Sequence, residues 1–161
     1  MNRHATSLLL PMLALAASAQ AREGAMTHHA TGSFEVSMTP EAQDAGPPGG
    51  IPTSRLGLSK RFSGGLDGTA TGTMIAAGAP KPGTAAAYVA IDQFSGKLDG
   101  RSGGFVLVHR GTMTKAGSAD LQVILVPDSG TGGLEGITGT LTIRVDGSKH
   151  YYDLSYTLPG F

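Results

Sequence analysis

The chain has 161 residues, with 12 Lys and Arg against 12 Asp and Glu, 25 Gly, 9 Pro and neither Cys nor Trp. That length suits one domain with a real hydrophobic core. Lack of Cys excludes a disulfide scaffold, thiolate catalysis and Cys-ligated zinc or iron–sulfur sites; balanced charge gives no basic face for nucleic acid; and 40% hydrophobic against 15% charged residues is not the composition of a disordered chain.

In chain order, the first element is a leader. A basic start at Arg3 is followed by an apolar run, Leu8 to Ala17, too short to span a bilayer. Ala19-Gln-Ala21 then supplies the small-x-small pattern of a signal-peptidase site. The expectation is a cleaved signal peptide over 1–21, one domain over 22–161, and a periplasmic or secreted product. With no Cys after the leader there is no lipoprotein anchor, and no later segment is apolar enough to span a membrane.

Period-two alternation rich in Thr, Val, Ile, Phe and Tyr predicts eight strands, at 30–39, 55–63, 69–77, 86–96, 102–113, 120–126, 137–145 and 150–158. A repeat punctuates them. Leu66-Asp67-Gly68 recurs as Leu98-Asp99-Gly100 and Leu134-Glu135-Gly136, with Leu-to-Leu spacings of 32 and 36 residues. An acidic residue before Gly between alternating runs predicts a hairpin turn, since Gly accepts the positive φ required. Eight sequential strands with short links predict an all-β, up-and-down antiparallel barrel, closed so that no sheet edge stays exposed. Successive links alternate between its ends. Links at 64–68, 97–101 and 127–136 share a tight-turn end. Pro40–Ser54, Gly78–Gly83 and Lys115–Ser118 share a looser end, the expected side of any ligand mouth.

Four segments carry a resemblance: Thr27–Val36, Tyr88–Gly96, Leu98–Met113 and Val126–Gly139. They resemble the bacterial domain-of-unknown-function family 3224, over about 27–158. The resemblance implies a fold similar to the allene-oxide-cyclase type of eight-stranded, lipocalin-like barrel. It implies no catalytic residue. The leader departs from that family, whose members typically begin near the position of Met26.

Candidate chemistry sits on the fourth and fifth strands. With a turn at Asp99-Gly100, Ala90 faces His109 and Asp92 faces Leu107. Tyr88, Asp92 and Phe94 then share a face with Phe105, Leu107 and His109. An apolar face carrying Tyr, Asp and His is a candidate ligand site with a proton-transfer group. The opposite face, Val89, Ile91, Val106 and Val108, is equally apolar, so the pattern leaves open which face lines the lumen. His28 and His29 point to opposite faces of a strand and so cannot chelate one ion. Asp67, Asp99, Asp128 and Glu135 read as turn formers rather than a calcium site. No metal or cofactor is expected. Tyr152, Leu154, Tyr156 and Leu158 form a core face. Asp128-Ser129-Gly130 resembles the aspartic-protease triplet but occurs once, whereas that chemistry needs two carboxylates. The reading is an exported barrel that binds a small, partly apolar molecule. An isomerase- or cyclase-type enzyme and a homo-oligomeric structural protein, a homodimer included, are the alternatives.

Overall fold

The computed structural model describes residues 26–79, 81 and 83–160. The expected signal peptide lies outside them. Among the described residues all regular structure is strand: β1 (His28–Asp44), β2 (Thr53–Gly64), β3 (Leu66–Ala77), β4 (Ala86–Leu98), β5 (Arg101–Met113), β6 (Ala119–Leu125), β7 (Thr131–Gly132), β8 (Thr138–Asp146) and β9 (Lys149–Thr157). Each long strand pairs antiparallel with its neighbour in the chain. β1 also pairs with β9, which closes the barrel. The eight expected strands are all present, several of them longer than the alternation suggested. The ninth, β7, is two residues long and pairs with Gly103 and Gly104 of β5.

The repeat does something other than form three equal turns. At Asp99-Gly100 both residues have positive φ, 46° and 86°, as a two-residue hairpin turn requires. At Asp67-Gly68 there is no turn. The chain reverses at Gly64-Gly65, and Asp67 lies inside β3 paired with Lys97. Gly68 is needed there for close approach, because a Cβ would lie 2.7 Å from the Cα of Gly96. What the copies share is their leucine. Leu66, Leu98 and Leu134 are 0%, 1% and 0% exposed, and with Ile137 they plug the tight-turn end. Each such burial stabilises by roughly 1.5–3 kcal/mol.

Above this plug lies an aromatic layer. Phe94 stacks on Phe105 with centroids 4.8 Å apart, and Phe62 meets Phe94 and Tyr152 edge-on. Tyr152 and Tyr156, expected in the core, are buried there. The Tyr152 hydroxyl accepts from the backbone N–H of Leu66 at 2.7 Å, and the Tyr156 hydroxyl donates to Asp99 Oδ2 at 2.7 Å.

Along β1, β6 and β8 the inward positions become more exposed away from the plug. On β1, Ala30 and Phe34 are buried, Val36 is half-buried and Met38 is 53% exposed. On β6, Val123 is buried and Leu121 is 42% exposed. On β8, Leu141 is buried, Ile143 is half-buried and Val145 is 58% exposed. Exposure of the inward row at the looser end leaves that rim uncapped, so the barrel is a cup with a packed tight-turn end and an exposed looser rim.

Candidate functional site

The pairing of β4 with β5 follows the expected register: Ala90 opposite His109, Asp92 opposite Leu107, and Tyr88 opposite Gly111. The face carrying Tyr88, Asp92 and His109 points inward, and Val89 and Ile91 point outward at 54% and 55% exposure. The six candidate residues divide by depth. Phe94, Phe105 and Leu107 belong to the packed layer. Asp92 and His109 sit directly above it, 0% and 3% exposed, and Tyr88 is half-buried one position nearer the mouth.

A residue outside the expected set completes the site. Lys60 of β2 lies on the same inward row as Leu58 and Phe62 and is 8% exposed. Its Nζ donates a short hydrogen bond to Asp92 Oδ2. The same oxygen lies 2.9 Å from His109 Nε2. That imidazole approaches off the axis of a well-formed hydrogen bond, so the contact is chiefly electrostatic. Two basic side chains from different strands thus converge on one carboxylate oxygen. The Lys60 ammonium also lies 5.7 Å from the centroid of the Phe34 ring, a cation–π contact. The alternation Leu58-x-Lys60-x-Phe62, a charge on an apolar row, is the sequence signal that marks this lysine.

Small residues make room for the cluster. Between β2 and β4 the inward positions of β3 are Ala70 and Gly72. A Cβ on Gly72 would lie 2.4 Å from Asp92 Oδ1, so that oxygen occupies the space a side chain would fill. Asp92 Oδ1 has no hydrogen-bond partner. Across β4 and β5, the Tyr88 ring lies on Gly111, where a Cβ would be 2.2 Å from Cε1.

The electrostatics follow from this packing. Burial alone would push the Asp92 carboxyl up. The adjoining His109 and the Lys60 ammonium outweigh that and hold it below the ordinary carboxylate range. Burial, then the nearby Asp92 charge, raises the Tyr88 phenol. Asp92 is thus a carboxylate held between two basic groups, with Tyr88 above it as a neutral phenol.

Other groups are engaged elsewhere. An open groove of about 700 Å³ runs along the outer wall, past Gly32, Gly64, Arg144, Tyr151 and Asp153. Its charges are already used: Arg144 lies over the Tyr151 ring and Asp153 bonds His29 at 2.9 Å. It is a crease where two facing glycines leave the wall bare, and the buried chemistry lies inside the barrel. His28 points inward against Tyr156 while His29 points outward, as alternation requires. Among the described residues no group of three or more His, Asp or Glu could hold a metal ion, and no helix is long and apolar enough to cross a membrane. Ser129 and Thr131 of the protease-like stretch accept from the N–H groups of Val106 and Gly104, at 3.0 Å each. Those hydroxyls fasten the loop to β5.

The pattern of the family described as "Protein of unknown function (DUF3224)" matches residues 30–156. The crystal structure of a protein of unknown function from the same family, from Shewanella oneidensis MR-1, superposes with a TM-score of 0.75. It is 40% identical, and the match covers 83% of this chain and 98% of that one. No curated protein matches the chain.

Proposed function

The chain belongs to the DUF3224 family of proteins of unknown function, and from its cup we propose that it binds a small, partly apolar molecule in the barrel lumen. The observation that carries this reading is the Lys60–Asp92–His109 cluster, three ionisable side chains buried on the inward rows between the packed floor and the exposed rim. Burying charges costs several kcal/mol each unless they are paired, and apolar residues of the same volume usually serve stability as well. A fold that needed only a packed interior gains little from these three residues. A binding site gains a fixed polar anchor among apolar side chains. The rim suits the same ligand class: Met38, Leu121 and Val145 point into the mouth and stay exposed.

Native mass spectrometry of the purified protein tests the reading. A reproducible bound molecule, released on denaturation and lost from the Lys60→Met, Asp92→Leu double variant, supports it. An apo protein that also fails to retain neutral apolar probes in a screen counts against it. The proposal includes export, supported by the leader-like segment 1–21. A mature N-terminus at Arg22 supports that part, and retention of Met1 opposes it.

A second reading rests on a separate observation. Ile75 and Val89 face each other on the outer wall, and Ile91 faces Val108, with Ile75, Val89 and Ile91 all more than half exposed. This apolar strip favours self-association. The subunit count from the same spectrum tests it.

A further inference from the structure

Resting on the binding reading above, we propose that Lys60 is a reactive amine and that the cup takes neutral apolar aldehydes or ketones, holding them as an imine on Lys60 Nζ. The first argument is charge. The cluster holds one ammonium against one carboxylate with an imidazole beside them, enclosed in the barrel. A ligand carboxylate would set a second negative charge against Asp92, and a ligand amine a second positive charge against Lys60. Neither would have water to screen it. A neutral carbonyl compound leaves the balance unchanged on entry. It also leaves it unchanged after reaction, because an iminium carries the same charge as the ammonium it replaces and keeps Asp92 as its counter-ion.

The second argument is the proton path. Lys60 Nζ and His109 Nε2 share Asp92 Oδ2. Once the imidazole turns to align its Nε2 with Asp92 Oδ2, the ammonium can pass one proton through that carboxylate to His109, leaving a neutral amine. The amine lone pair attacks the carbonyl carbon, and the C=O π pair moves to oxygen. A second N–H proton moves to that oxygen, giving a carbinolamine. His109 returns its proton to the hydroxyl, which leaves as water as the nitrogen lone pair closes C=N. The iminium keeps the third proton and the charge. No oxidant or reductant takes part. Phe34 supplies an aromatic face to the cation in either form. A lysine in an apolar enclosure with a proton acceptor at hand is the arrangement imine chemistry uses.

Reductive trapping provides the test. The protein is incubated with trans-cinnamaldehyde and sodium cyanoborohydride, then digested and mapped by mass spectrometry. The expected result is one secondary amine per chain, on Lys60, formed before any adduct on the exposed Lys97, Lys115 or Lys149. Lys60→Arg, which keeps the charge beside Asp92, removes the adduct while the probe is still retained non-covalently. His109→Gln slows trapping by about 10²-fold, the usual share of a general acid–base group, and does so most at the pH where wild type reacts fastest. Labelling confined to the exposed lysines overturns the imine. If cinnamaldehyde is then still retained by wild type and Lys60→Arg, the binding reading survives; if neither retains it or any neutral probe, that reading falls too.

Discussion

Lys60 on β2 and Asp92 on β4 meet across β3, over the two positions where that strand carries Ala70 and Gly72. Neighbouring strands are about 4.8 Å apart, so only a lysine stem laid over small residues reaches a carboxylate two strands away. The pair is thus a property of three strands together.

Breaking the pair on one side should be costly. Asp92→Asn leaves Lys60 buried without a counter-charge, and we expect a loss of about 3–5 kcal/mol in urea unfolding. The double variant Lys60→Met, Asp92→Leu should lose much less than the sum of its singles. Additive losses would mean that the two side chains are energetically independent.

The Asp92 carboxyl is held below its ordinary range, which fixes the sign of a pH effect. Its stabilising contribution is complete above the unfolded value of about 3.9. It is lost as the pH falls below that value and through the depressed folded one. Unfolding free energy measured from pH 6 down to pH 2 should fall more steeply for wild type than for Asp92→Asn.

Gly72 should tolerate no side chain. A methyl there would lie 2.2 Å from the Ile91 carbonyl oxygen and 2.4 Å from Asp92 Oδ1. Gly72→Ala should therefore destabilise by about 1–3 kcal/mol, as overpacking does. It should also shift the His109 imidazole resonances, because Asp92 has to move. Gly111→Ala meets the Tyr88 ring first, a side chain that can swing aside. We expect a smaller loss there, with altered probe retention.

Just above the plug, Tyr152→Phe removes the hydroxyl that accepts from the buried Leu66 N–H and should cost about 1–3 kcal/mol in thermal or urea unfolding. Tyr156→Phe, whose partner is the more accessible Asp99, should cost about 1 kcal/mol.

Much of this was legible in the sequence because strands have a period of two. Once Asp99-Gly100 fixed the β4–β5 turn, every cross-strand pair from Ala86–Met113 to Leu98–Arg101 followed. The same period cannot say which face is inside when both are apolar, and Val89 and Ile91 look as core-like as Ala90 and Phe94. Closure of the barrel decides that. Asp67-Gly68 misled because the motif that turns at Asp99 lies in a straight strand when Gly64-Gly65 has already reversed the chain. Lys60 escaped because its partner is 32 residues away on a strand that does not neighbour its own. β7 escaped because two residues carry no periodicity.

The most direct test of the luminal site is an NMR titration with N-phenyl-1-naphthylamine, a neutral apolar probe. The side-chain nitrogens of Lys60 and His109 and the methyl groups of Met38, Leu121 and Val145 at the mouth and of Ile75, Val89 and Ile91 on the outer wall would be followed. The cup predicts one saturable site per chain that shifts the mouth methyls and the Lys60 and His109 nitrogens together. Shifts confined to Ile75, Val89 and Ile91 on the outer wall, or none at all, would contradict it.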